Sequence, residues 1–198
     1  MTNIAIFASG SGSNAENIAN YFRGHTDVHV SIIISNNADA YVHQRARKLE
    51  IPSYSFNRID FIEGTKIVQI LHEHSIDFIV LAGFLLKISQ PLLDAFSAHI
   101  INIHPALLPK FGGKGMYGNK VHQAVIDAGE AESGITIHYV NEHYDEGSII
   151  YQVSCEVQRG DTCDILANRV HALEYAHFPK VIEAIIKGEL DLKIRTNK

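Results

Sequence analysis

The stretch NIAIFASGSGSNAENI, Asn3 to Ile18, decides how the rest of the chain is read. Asn3 to Ala8 is a short apolar run closing near Gly10, the pattern of a strand buried on both faces. From Asn14 to about Phe22 the pattern is helical. Gly10-Ser11-Gly12-Ser13-Asn14 is then a turn between strand and helix rather than a flexible tail. Glycine lets backbone bend sharply and come close to a ligand. The amides that open a helix, with the helix dipole, favour an anion. The turn reads as a phosphate cradle, with a plain tight turn capped by Ser13 as the alternative. Gly10-x-Gly12-x-x-Ala15 also meets the looser dinucleotide fingerprint. That reading wants an acidic residue closing the second strand, and Val28 to Ile34 ends instead in Ser35-Asn36-Asn37, with Asp39 further on. A monophosphate ester suits the turn at least as well.

Working outward, Val28 to Ile34 is a second strand, followed by a turn at Asn36 to Asp39 and a helix through Leu49. Asp60 with Glu63 resembles a capping box, and Ile67, Ile70 and Leu71 share a helical stripe behind it. Phe78 to Ala82 and Ile100 to Ile103 are further buried strands. This alternation predicts an α/β fold with a doubly wound, mostly parallel sheet, which binds ligands beyond the carboxyl ends of its strands. Ile135 to Tyr139 alternates like a half-buried strand, and Ser148 to Glu156 reads as its antiparallel partner. A long helix is expected from Thr162 to Lys187, broken or kinked at Pro179 and stopped by Gly188. No linker or repeat interrupts the chain, so residues 1–198 are expected to form a single domain.

At 198 residues, 46% apolar and 20% charged, the chain can bury a core without metals or disulfides. A formal net charge of -5 argues against nucleic acid or a membrane surface as the main partner. Cys155 and Cys163 fit no CxxC pattern, and no apolar stretch is of bilayer length, so a reduced cytoplasmic setting is expected.

The sharper chemical signal is IINIHPALLPKF, Ile100 to Phe111. Alternation along a strand points Asn102 and His104 the same way and Ile101 and Ile103 into the core. An amide and an imidazole at the carboxyl edge of a sheet suit an intermediate whose oxygen becomes negative while protons move. An acid is wanted to orient the imidazole. HYVNEHYDEGSII offers Glu142, Asp145 and Glu146, among which spacing does not choose. His138 and His143 are also candidates. No HExxH is present and no metal is assigned.

These residues resemble the phosphoribosylglycinamide formyltransferases of purine synthesis. The resemblance runs from Asn3 to about Lys187. It rests on Gly12-Ser13-Asn14, Ala82-Gly83-Phe84, Asn102-Ile103-His104-Pro105, Leu107-Leu108-Pro109-Lys110, Gly134 to His138, and Asp145. It implies formyl transfer from 10-formyltetrahydrofolate, as co-substrate, to the amine of glycinamide ribonucleotide, with no metal. Asn102, His104 and Asp145 would be catalytic. Gly12, Ser13, Asn14 and Glu174 would bind the ribonucleotide, its 5′-phosphate on the loop. Leu85, Leu86, Lys87, Ile88, Asn102, Val140 and Asn141 would line the folate pocket. Asp145 would raise the His104 pKa so that the charged imidazole, with Asn102, holds the oxyanion. The family's Met-Arg-Ile-Leu reads here Leu85-Leu86-Lys87-Ile88, its Phe/Tyr-Pro-Gly reads Phe111-Gly112-Gly113, and His171 stands where glutamine is usual. Both partners implied are small molecules, and no oligomeric state is implied.

Three rivals share parts of this pattern. A formyltetrahydrofolate hydrolase uses similar residues but usually carries an extra N-terminal domain. A tRNA formyltransferase adds a basic C-terminal domain. A non-catalytic nucleotide- or NAD-binding module would explain Gly10 to Ala15 but leave Asn102, His104 and Asp145 idle.

Overall fold

The computed structural model describes residues 1–189; residues 190–198 of the expected domain lie outside them. Two compact units are distinguished, Met1–Asn102 with Val140–Glu142, and Ile103–Tyr139 with the chain from His143 onward.

The first unit is doubly wound. Its strands are β1 (Thr2–Phe7), β2 (Val28–Ser35), β3 (Ser53–Ser55), β4 (Phe78–Leu81) and the start of β5 (Ile100–His104). They lie in the order β3-β2-β1-β4-β5, every pair parallel. Ile4, Ala5, Ile6 and Phe7 have no exposed surface, as expected where helices cover both faces of a parallel sheet. The connecting helices are α1 (Ser13–Phe22), α2 (Val42–Lys48), α3 (Arg58–Glu63), α4 (Thr65–Glu73) and α5 (Gln90–Ala95). Phe7 meets Phe61 and Phe84 edge-on, with ring centroids 6.0 and 5.5 Å away, in a cluster that also holds Ile67, Leu71 and Ile88. The capping box exists one turn earlier than the sequence suggests. Asn57 caps α3, accepting from the Ile59 and Asp60 amides, and Asp60 reaches back to the Asn57 amide. Asn57 is the better cap because its carbonyl oxygen reaches both amides while Asp60 sits at the third helical position.

The second unit takes over β5 at Ile103 and continues with α6 (Asn119–Asp127), β6 (Glu132–Tyr139), β7 (Ile149–Glu156) and α7 (Cys163–Ile186). β6 and β7 pair antiparallel, as expected. The expected half-burial of β6 is overturned, since Ser133 through His138 are all buried. Of its polar residues, Thr136 and His138 find internal partners instead of water. Thr136 donates to the Ala106 carbonyl at 2.6 Å and accepts from the Leu108 amide and the Gln152 side chain. α7 is helical through Pro179, so the expected break does not occur. An interior proline costs about 3 kcal/mol. The fully buried Phe178 and Ile182 beside it, at roughly 1.5–3 kcal/mol each, offset that loss.

Candidate active site

In the first unit the glycine turn follows β1. α1 begins at Ser13 with Gly12 as its N-cap, so Ser13 is not the cap that the alternative reading made it. Gly12 lies in the left-handed region at φ 70°. A Cβ built on it would stand 2.2 Å from Val42 Cγ2, so two constraints demand glycine there. No side chain caps the α1 N-terminus, which leaves its first turn to backbone amides. Ser9, just before the turn, donates its amide to the Gly83 carbonyl at 3.1 Å and accepts the Leu85 amide on its hydroxyl at 2.9 Å. The β1–α1 turn and the Leu85-to-Ile88 loop after β4 are thereby held side by side.

Ile88 is buried in the first unit's core and Leu86 packs against it, while Leu85 and Lys87 are exposed. Val140 packs on the same core and donates its amide to the Ile100 carbonyl at 3.0 Å. Leu86, Ile88 and Val140 thus converge on one cluster; Asn102 and Asn141 are half-buried. Leu85 is left exposed at the edge of this cluster.

In the second unit His104, at the end of β5, is 3% exposed. Its Nε2–H donates to the Phe111 carbonyl at 2.8 Å, and its Nδ1 stands 3.5 Å from Asp145 Oδ2. The same carboxylate faces His138, with Oδ1 3.6 Å from Nε2, while His138 Nδ1–H donates to the Tyr139 carbonyl at 2.8 Å. The Gly113 amide donates to Asp145 Oδ2 at 2.9 Å. Carbonyls only accept, so each ring donates one N–H to backbone, and its other nitrogen faces Asp145. A second proton on either ring would sit directly against the carboxylate. Asp145 therefore offers two proton sockets.

The loop that carries Asp145 is held under backbone constraint. Asp145 adopts φ 57°, uncommon for a residue other than glycine, asparagine or aspartate. Gly147 lies so close to β6 that a Cβ there would overlap the Tyr139 carbonyl oxygen at 1.7 Å. Of the three acids offered by the sequence, Asp145 lies beside His104 and His138, and Glu142 and Glu146 are exposed.

Burial pushes the His104 imidazole below its ordinary pKa; the Asp145 charge and the Phe111 carbonyl pull it back up without prevailing, and His138 adds to the lowering. The expectation of a raised imidazole pKa is thus corrected: Asp145 acts in the expected sense, but desolvation outweighs it. For Asp145 burial acts upward, yet the His138 hydrogen bond, the His104 charge and the Gly113 amide together hold the carboxyl below the usual carboxylate range. Burial thus works against the charged imidazole, while its neighbours favour the ionised form of the carboxylate beside it.

Glu174 is buried on α7 at 6% exposure. One turn earlier His171 meets the buried His122 ring edge-on, centroids 6.4 Å apart. Burial, with the His171 and His104 charges, pushes His122 down to about 4. His138 is the residue whose place in the cluster the sequence left open. The signal for it was the His-Tyr-Val-Asn-Glu run leading to Asp145. Among the described residues, no group of three or more His, Cys, Asp or Glu could hold a metal ion.

Comparison with known proteins gives a consistent family. The model of the formyl transferase family matches residues 2–182. The chain is 36% identical over 193 residues to the phosphoribosylglycinamide formyltransferase of Bacillus subtilis, covering 94% of this chain and 95% of that one. It is 40% identical to the chloroplastic phosphoribosylglycinamide formyltransferase of Arabidopsis thaliana, and it spans 94% of its own length and 66% of that relative's. The crystal structure of phosphoribosylglycinamide formyltransferase from Anaplasma phagocytophilum superimposes with a TM-score of 0.86 at 35% identity, covering 94% of this chain and 88% of that one.

Proposed function

We propose that this chain, which belongs to the formyl transferase family and within it to the phosphoribosylglycinamide formyltransferases, carries out their transfer in purine biosynthesis. It moves the formyl group of 10-formyltetrahydrofolate to the amine of glycinamide ribonucleotide. Residues 1–198 act as one formyltransferase domain, a reading supported by a family match that runs through both units. The observation that carries the chemistry is the buried His104–Asp145 pair at 3.5 Å, with Asn102 two residues before it on β5.

The neutral amine attacks the formyl carbon. A C–N bond forms, the carbonyl pair moves onto oxygen, and the amine nitrogen becomes positive. Asn102 donates to the oxyanion, and His104, entering in its protonated form, stabilises it. Asp145 steadies the imidazolium. Collapse breaks the bond to the folate nitrogen, which takes the proton released by the amine, so atoms and charge balance with no covalent enzyme intermediate. The Gly12-Ser13-Asn14 turn holds the 5′-phosphate through helix-start amides, supported by the uncapped α1 N-terminus. Glu174 serves the ribonucleotide. Leu85, Leu86, Lys87, Ile88, Val140 and Asn141 serve the folate, supported by the convergence of Leu86, Ile88 and Val140 on one core cluster. Both partners are small molecules. Cys155 and Cys163 are free thiols, which supports a reducing, cytoplasmic setting.

The test is deformylation of 10-formyl-dideazafolate with and without glycinamide ribonucleotide. Transfer predicts release of the deformylated folate only when the amine is present. Release at the same rate without it would make the protein a hydrolase and overturn the reading.

A further inference from the structure

The carbonyls of the glycine turn are tied down by α2. Val42, the first residue of α2, donates its amide to the Gly10 carbonyl at 3.1 Å. One turn later Arg45 donates Nε–H to the Ser11 carbonyl at 2.9 Å. Arg45 is itself held on two further sides, by an ion pair between Nη1 and Glu16 of α1 and by the Tyr41 ring, 5.1 Å from Cζ. A trans peptide points its C=O and the following N–H in opposite directions, and the cis bond identified in the chain, Leu108–Pro109, lies elsewhere. With both carbonyls directed at α2, the Ser11 and Gly12 amides must point away from it. The Gly12 carbonyl accepts the Glu16 amide at 2.9 Å, which turns the Ser13 amide outward in the same way. Three consecutive amides are thereby aimed before any anion arrives.

From this geometry we infer that Arg45 is a positioning residue for ribonucleotide binding: it clamps the Ser11 carbonyl so that the loop amides are preset to receive the 5′-phosphate. Its guanidinium is neutralised by Glu16, so its contribution is orientation rather than net positive charge. The loop amides bind a phosphate most tightly when no reorganisation is needed. The inference deepens the function proposed above and rests on the phosphate lying at the glycine turn.

Arg45→Lys and Arg45→Met test it. Lysine can keep the ion pair with Glu16, but its single ammonium lacks the guanidinium fork that serves Glu16 and Ser11 together. Both variants are expected to raise the KM for glycinamide ribonucleotide about tenfold or more, the scale of one lost hydrogen bond from a charged donor. Competitive inhibition by inorganic phosphate should weaken in parallel, while kcat and the KM for the formyl folate stay near wild type. Restoration of wild-type ribonucleotide KM by lysine would assign the role to the ion pair and overturn the clamp. An equal rise in both KM values would mark general loop damage and also overturn it. Ser13→Ala separates the two levels of the argument. If Ser13→Ala raises the ribonucleotide KM and the Arg45 variants do not, the clamp alone is wrong. If neither does, the phosphate site itself is wrong.

Discussion

The two units hold two kinds of site. The glycine turn of the first is built from backbone, with amides aimed by carbonyls that are fixed elsewhere. The imidazole–carboxylate cluster of the second is built from side chains brought together from β5, β6 and the loop before β7. A backbone site holds charge that never changes, which suits a phosphate. A side-chain site can change protonation, which suits a reaction in which charge appears and disappears. The contrast also says how each should fail. Removing one side-chain atom can abolish a proton site, whereas a backbone site loses only a fraction of its strength with each side chain removed.

The largest effect should come from the side-chain site. His104→Ala, and Asn102→Ala beside it, should each lower kcat on the order of 100- to 1000-fold, the loss seen on removing one oxyanion donor. Thermal unfolding should show the fold intact. Wild-type kcat in either variant would take that residue out of the chemistry.

Asp145→Asn should be intermediate, with kcat down roughly tenfold to a hundredfold, as for a lost general-acid–base contribution. Its pH profile is the more telling reading. Asp145 pulls the His104 pKa upward against burial, so its removal leaves burial less opposed. Activity that needs the imidazolium declines as pH rises through the His104 pKa. In Asp145→Asn that declining limb should move to lower pH. An unmoved limb would detach Asp145 from His104.

The smallest effect belongs to the backbone site. Ser13→Ala should raise the ribonucleotide KM by about two- to tenfold, the scale of one neutral hydrogen bond, and leave kcat near wild type. A loss as large as that of His104→Ala would erase the contrast and make Ser13 part of the chemistry.

Much of the first unit was legible because its signals are local. The apolar run, glycine spacing and helical stripe of Asn3 to Phe22 fall within one strand–turn–helix, and β1 and α1 form within a residue or two of their expected limits. The capping box was misplaced by three residues because Asn57 and Asp60 both satisfy the composition of a cap, and only the backbone decides which carbonyl oxygen meets the amides. β3, α5 and α6 gave no separate signal. β3 and α5 are three and six residues long, and α6 follows a glycine-rich loop that masks its start. In the second unit the strand alternation of Ile135 to Tyr139 was read as half-burial because Thr136 and His138 are polar. Their internal partners, the Ala106 and Tyr139 carbonyls, cannot be read from that alternation.

By itself, the sequence determined the doubly wound class, the glycine turn and the pairing of Asn102 with His104 on one strand, because each depends on periodicities only a few residues long. The tertiary structure decided which carboxylate meets the imidazole, that His138 shares it, and that burial rather than Asp145 sets the direction of the His104 pKa. Those outcomes depend on distances between residues far apart in the chain and on how completely water is excluded, and no short window of sequence encodes either.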